Sequence, residues 1–114
     1  MTNWTTLPHE KLVAYQVAKE LLAEVQRAEI SDSRLRDQAM RAAMSACLNI
    51  AEAAGRQSAA DQKRVYAIAR GEACEAAAAL DIAATARMCS AESARNGGAL
   101  ARRAYALLTG LIRA

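Results

Sequence analysis

Alanine fills 30 of the 114 positions, and the only proline stands at position 8. Because alanine is the strongest helix former and has almost no side-chain bulk, such a chain favours helices that approach one another closely. No proline follows Pro8, so long helices are permitted along nearly the whole sequence. A chain of this length suffices for one hydrophobic core, and we expect a single all-α domain over residues 1–114.

The spacing of apolar residues predicts four helices and no strand. Gly55 ends the second helix, and Ser58 with Asp61 gives the third helix the start of a capping box. Gly97 and Gly98 weaken the first turns of the fourth helix. Short connections between such helices are typical of an antiparallel up-and-down four-helix bundle. The predicted helices cover about residues 8–28, 33–54, 58–88 and 92–112.

Several classes of protein are disfavoured by the sequence. No stretch has the length of a membrane span, and the N-terminal residues lack the apolar core of a signal peptide, so we expect a cytoplasmic protein. Cys47, Cys74 and Cys89 are odd in number and form no CxxC pair, in keeping with a reducing compartment. We expect Cys47 and Cys74 to be buried structural thiols, because each lies in an apolar helical run.

Candidate catalytic and metal-binding residues are few. His9 is the only histidine, so a multi-histidine metal site cannot form within one chain. Glu52 and Glu75 are placed to face each other between two helices, as carboxylates do in di-iron bundles, but the Glu-x-x-His partner is missing. We therefore expect no enzymatic activity, no metal and no cofactor.

The second predicted helix carries a narrow polar stripe. Successive residues advance by about 100° around a helix, which brings its polar side chains to one side. We interpret the stripe as a structural network in which Glu52 is a buried partner of both Asn49 and Arg56, with a functional site as the alternative. Glu75 of the third helix is included in this network. The stripe consists of Arg34, Gln38, Arg41, Ser45, Asn49, Glu52 and Arg56.

The rest of the second helix is apolar over too wide a surface for one bundle seam. In a monomer of this size part of that surface would face water, so we infer a homo-oligomer with this helix close to the subunit contacts. The alternative is that an alanine-rich face is tolerated in water, as scattered apolar surface often is.

The fourth predicted helix holds the excess of positive charge. Residues 90–114 contain four arginines and one glutamate, a net charge of +3 that equals the formal charge of the whole chain. Its leucines fall on the opposite side of the helix, so the arginines should face solvent and attract a nucleic-acid backbone. An ordinary solvated face is the alternative, and without an aromatic platform beside it we expect no base stacking. The candidate nucleic-acid-binding residues are Arg95, Arg102, Arg103 and Arg113.

The stretch "RAAMSACLNIAEAAGR" and the "KRVYAIARGEACEA" that follows resemble a family of bacterial four-helix-bundle proteins. These proteins are encoded by intervening sequences inside large-subunit ribosomal RNA genes, and they look related to the accessory variability proteins of diversity-generating retroelements. The resemblance runs from about Lys11 to Arg113. The matching residues are Arg41, Ser45, Asn49, Ile50, Ala51, Glu52, Gly55, Arg56, Ile68, Ala69, Gly71 and Glu75.

This sequence departs from the family pattern where a proline is usual, because Cys47 and Leu48 stand there instead, and Ala53 replaces a glycine. We therefore expect a straighter second helix. The resemblance implies a bundle assembled as a ring, commonly a homopentamer, without established enzymatic activity. It also implies a role in binding RNA or DNA, or a nucleic-acid enzyme. The alternative is a protein-interaction scaffold that does not bind nucleic acid.

Overall fold

The computed structural model describes residues 5–114, and these residues form four α-helices and no strand. The all-helical class and the number of helices predicted from the spacing of apolar residues are therefore confirmed. The helices are α1 (Val13–Ala28), α2 (Ser33–Ala54), α3 (Ala59–Thr85) and α4 (Ala91–Arg113).

The first helix begins five residues later than predicted, at Val13 instead of position 8. Before it, the chain forms tight turns in which Glu10 N–H donates to Leu7 O at 3.1 Å and Leu12 N–H donates to His9 O at 3.0 Å. Leu12 then adopts an extended backbone with ψ 124° and offers no side-chain cap. Pro8 is compatible with a helix start, but these turns use the backbone groups that a helix would need.

Side-chain caps begin the other three helices. The Asp32 carboxylate accepts from Leu35 N–H at 2.9 Å, and the Ser58 hydroxyl accepts from Asp61 N–H at 3.1 Å. Ser90 caps α4 in the same way through Ser93 N–H at 3.1 Å. The cap predicted at Ser58 is therefore confirmed. Each bond satisfies one backbone donor that the first turn of a helix leaves without a partner.

The third helix ends at Thr85, three residues before the predicted end. Arg87 adopts the left-handed conformation with φ 62°, and Met88 N–H donates to Ala83 O at 2.7 Å. This arrangement is a Schellman-type helix end, a position that glycine most often takes. Because arginine stands there, the sequence pattern does not signal the end of the helix.

The fourth helix passes through Gly97 and Gly98 without interruption. Gly97 is buried, and a Cβ atom added to it would overlap with Leu80 Cδ1. The glycine therefore allows α4 to approach α3 closely at this level. Glycine weakens a helix, but at this position the loss is offset by the close packing of Leu80 against the Gly97 backbone, which a side chain at position 97 would disturb.

The core runs along the inner faces of all four helices. α3 packs extensively against both α2 and α4, α1 packs against α2 and α4, and α1 meets α3 only slightly. Alanines occupy many of the buried positions, which lets the backbones lie close together. The largest fully buried side chains are Leu21, Ile30, Ile50, Leu80, Leu108, Val17, Val25 and Val65.

Candidate nucleic-acid interface

The arginines of α4 lie on the side of the helix opposite its buried face. Ala104 and Leu108 are fully buried, and Leu100, Leu107 and Leu111 are half-buried against the core. All four candidate arginines are exposed, and none forms an ion pair with a described residue. Their charges therefore remain available to a ligand. They are Arg95, Arg102, Arg103 and Arg113.

Two of the four arginines line a groove between α3 and α4, which we call the α3–α4 groove. Arg95 and Arg102 border a cavity of about 350 Å³ together with Asp81 and Gly98, and small alanine side chains form the rest of its lining. Arg103 and Arg113 do not line this cavity. The groove exists because alanine and glycine leave space between the two backbones.

Arg102 lies back across its own helix. A Cβ atom added to Gly98 would be 3.3 Å from Arg102 Nη1, so the guanidinium group occupies the space beside the glycine. A larger residue at position 98 would force this guanidinium group to move. Gly98 thus helps to set where the positive charge sits in the groove.

Arg70 and Tyr105 also belong to this surface, although the charge pattern of α4 does not indicate either residue. Arg70 Nη1 donates to Thr109 Oγ1 at 2.9 Å, and the Arg70 guanidinium carbon is 4.8 Å from the centre of the Tyr105 ring. Tyr105 is 45% exposed and lines the groove beside Arg102. The expectation that no aromatic side chain lies near the arginines is therefore wrong.

The polar stripe of α2 does not form one buried network in the single chain. Asn49 Nδ2 donates to Ser45 Oγ at 2.9 Å and to Ser45 O at 2.8 Å. Separately, Arg56 pairs with Glu52, and Arg56 Nη1 is 3.2 Å from Asp61 Oδ2 on α3. No hydrogen bond joins Asn49 to Glu52 among the described residues, which corrects the predicted connection.

The Glu52–Arg56 pair is exposed, with 50% of the Glu52 side chain and 39% of the Arg56 side chain accessible to solvent. The predicted burial is therefore wrong for the single chain. On α3, a hydrogen bond from Arg64 and the nearby Arg56 charge hold the pKa of Asp61 below its usual value. The pair thus belongs to a surface cluster of charges at the junction of α2 and α3.

Glu52→Ala is expected to shift the thermal unfolding midpoint hardly more than Glu20→Ala, an exposed control on α1. Arg56 keeps Asp61 as a partner, and Glu52 lies in the last turn of α2, where a negative charge opposes the helix dipole. Circular-dichroism melting of both variants checks this. A much larger loss for Glu52→Ala would mean that assembly buries Glu52.

Of the remaining residues of the predicted network, Gln38 and Arg41 lie nearer the start of α2, and Glu75 lies on α3. Gln38 Nε2 donates to Glu75 Oε1 at 3.3 Å, whereas Arg41 forms no hydrogen bond or ion pair with a described residue. These three residues border a second groove, of about 360 Å³, between α2 and α3. Its other charged side chains, Arg34, Asp37 and Glu72, give it charges of both signs.

The cysteines have different surroundings. Cys47 is buried, and burial raises the pKa of its thiol, with an opposing effect from the Lys19 charge. Cys74 is exposed, which corrects the prediction that it is a buried thiol, because it faces the α3–α4 groove instead of the core. Across residues 5–114, no three histidine, cysteine or acidic side chains gather closely enough to hold a metal ion.

The surface of α2 also carries exposed apolar side chains. Leu48 is 70% exposed, and Met44, one turn earlier, is 44% exposed.

In the part of the chain that the structure describes, no helix has the length and apolar character needed to cross a bilayer.

A comparison with curated proteins found no match. The family model described as "23S rRNA-intervening sequence protein" matches residues 10–110. This range includes all four helices except the last residues of α4, and it contains the α2 stripe and the α3–α4 groove. Because the match extends over most of its sequence, the chain belongs to the 23S rRNA-intervening sequence protein family.

Proposed function

We propose that this protein is a non-enzymatic, oligomeric helical bundle that binds RNA or DNA through the basic face of α4. The observation that carries the proposal is the set of four exposed arginines on one helix, none of which has an ion-pair partner among the described residues. Such charges favour a polyanion, because binding neutralises phosphates and releases their counterions. The proposal includes a role beside a nucleic-acid enzyme and a relationship to the accessory proteins of diversity-generating retroelements.

The proposal includes an antiparallel up-and-down order of the helices. Two contacts between α3 and α4 support it, because Arg70 bonds to Thr109 while Leu80, later in α3, meets Gly97, earlier in α4. Ser31 N–H also donates to Met88 O at 3.0 Å, which joins the α1–α2 connection to the α3–α4 connection. Both observations are those expected where neighbouring helices alternate in direction.

The proposal also includes assembly into a ring-shaped homo-oligomer, with a pentamer as the expected form, in the cytoplasm. Exposed Leu48 and Met44 support burial of α2 against another copy, since a contact there would remove apolar surface from water. The three free cysteines favour a reducing compartment. In a ring, the α4 arginines would be repeated around one assembly, which strengthens binding to a long polyanion through multivalency.

A protein-interaction scaffold is the second candidate function. Ile68 and Ile82 on α3 are 43% and 56% exposed, in addition to the apolar residues of α2. These side chains offer contact area for another protein without any use of the arginines. In this alternative, the protein binds no nucleic acid.

Replacing Arg102, Arg103 and Arg113 together by glutamine is expected to leave the bundle folded and to abolish detectable nucleic-acid binding at moderate salt. Each lost phosphate contact lowers the slope of log affinity against log salt by roughly 0.7 to 0.9. The measurement is fluorescence anisotropy with labelled RNA and DNA over a range of salt concentrations, together with circular dichroism of both proteins.

The matched control replaces Arg34, Arg41 and Arg87 by glutamine. These residues are also exposed and without ion-pair partners among the described residues, so the control removes the same charge from other surfaces. Equal losses in the two variants would show that only net charge matters. Absence of any binding by the wild-type protein at low salt would overturn the nucleic-acid proposal in favour of the scaffold.

A further inference from the structure

One part of the α3–α4 groove differs from the part that Arg95 and Asp81 line. A cavity of about 230 Å³ there is lined by Cys74, Ala77, Gly98 and Ala101, with Arg102 and Tyr105 as its large side chains. Most of its lining is apolar, and Asp81 does not reach it. The cavity is smaller than the roughly 300 to 1,000 Å³ of pockets for drug-sized ligands, so it suits one small group.

Tyr105, which lines this cavity, is held in place by its neighbours. The Arg70 guanidinium group lies 4.8 Å from the ring centre, and Arg70 is itself fixed by its hydrogen bond to Thr109. Tyr105 is nevertheless 45% exposed as a residue. Because Arg70 lies over one face of the ring, a base can stack only on the other face, in the way that unpaired bases stack on aromatic side chains in single-strand-binding proteins.

The charges needed for the backbone of such a strand lie along the same groove. Arg102 borders both the small cavity and the adjoining part of the groove that Arg95 and Asp81 line. Seven residues separate the two arginines, nearly two full turns, so they project from the same side of α4. Asp81 lines the groove beside Arg102 as well as Arg95, so it weakens the positive field there, but it does not line the small cavity beside Tyr105.

We propose that the α3–α4 groove binds single-stranded nucleic acid, with one unpaired base in the cavity beside Tyr105 and phosphates on Arg95 and Arg102. The inference rests on the proposed nucleic-acid function and adds a substrate class to it. A base in a duplex is stacked and paired, so it cannot enter the cavity, whereas duplex phosphates still reach the arginines. The groove therefore discriminates single-stranded from duplex nucleic acid through stacking on Tyr105 and not through charge.

The first test compares Tyr105→Ala, Tyr105→Phe and the wild-type protein by anisotropy. The probes are a single-stranded oligouridylate, a single-stranded oligothymidylate and a mixed-sequence duplex of the same length. Tyr105→Ala is expected to weaken binding of both single strands by roughly 5- to 100-fold, the loss typical of one stacked base. Duplex binding should change less than about twofold, and Tyr105→Phe should retain the wild-type preference because it keeps the ring.

The second test uses Cys74 as a reporter of base position, because this exposed thiol lines the cavity. A single-stranded oligonucleotide carries an activated disulfide on a short tether from one base. The Cys74 thiolate would attack the tether disulfide, form a mixed disulfide and release the leaving thiol. We expect rapid cross-linking of the wild-type protein. An excess of the unmodified single strand should prevent it, and Cys74→Ser should abolish it.

The outcomes separate this inference from the function on which it rests. If no probe binds at low salt, both fail. If single strands and duplex bind with equal affinity and Tyr105→Ala weakens neither, or weakens both equally in a folded protein, the base-stacking inference is overturned while the backbone-binding proposal stands.

Discussion

Leu80→Ala is expected to lower the free energy of unfolding by about 2 to 5 kcal/mol, the usual loss when a fully buried leucine becomes alanine. Leu80 is 0% exposed and belongs to the larger core cluster at the contact between α3 and α4. Gly97 and nearby alanines cannot extend into the space that the leucine leaves, so the cavity should persist. Urea denaturation at a fixed protein concentration measures the loss.

The same contact predicts an interaction between positions 80 and 97. Gly97→Ala is expected to destabilise the protein by about 1 to 3 kcal/mol, because its methyl group overlaps with Leu80 Cδ1 in a filled core. In a Leu80→Ala background, the same change should be neutral or stabilising, since the opposing methyl group is gone and alanine favours the helix.

Gly71→Ala is the matched control for this double-mutant cycle. Gly71 also lies within a helix, but a Cβ atom there would have no heavy atom within 4 Å. It should stabilise the protein by about 0.5 to 1 kcal/mol through helix propensity alone. Additive effects of Gly97→Ala and Leu80→Ala would contradict the close approach of α3 and α4.

The fold was predictable from sequence where local chemistry decides it. The start of α3 follows from the Ser58 cap, which depends on a residue only three positions away. Gly97 could not be interpreted correctly in this way, because its role depends on Leu80, far away in the sequence. The end of α3 was missed because Arg87 stands where glycine is the usual signal.

The candidate interface was predictable where it depends on one helix alone, and not where it depends on the alignment of two helices. Helical periodicity places the α4 arginines opposite its leucines, because both lie on one element. The approach of Arg70 to Tyr105 depends on how α3 and α4 are aligned, which periodicity within either helix does not contain. On α2, most of the circumference is apolar, so the pattern did not indicate that Glu52 and Arg56 face solvent.

Leu48→Asp is expected to convert the proposed oligomer to a species near the chain mass of 12.1 kDa at micromolar concentration. Leu48 has the largest exposed fraction among the large apolar side chains described, and Met44 lies one turn away on the same side of α2. Complete burial of a leucine contributes about 1.5 to 3 kcal/mol, and a ring would repeat that contribution at every contact. An aspartate there would instead place a charge in a desolvated contact.

Val13→Asp is the control for this change, because Val13 is 49% exposed at the first residue of α1, where a negative charge suits the helix dipole. Light scattering coupled to size exclusion gives the mass of both variants and of the wild type. A monomeric wild type would contradict the assembly itself, whereas an oligomeric Leu48→Asp would place the subunit contacts on another face. In that second case Ile82, which is 56% exposed on α3, would be the next residue to replace by aspartate. If Ile82 lies in the subunit contact, this replacement should lower the measured mass of the assembly.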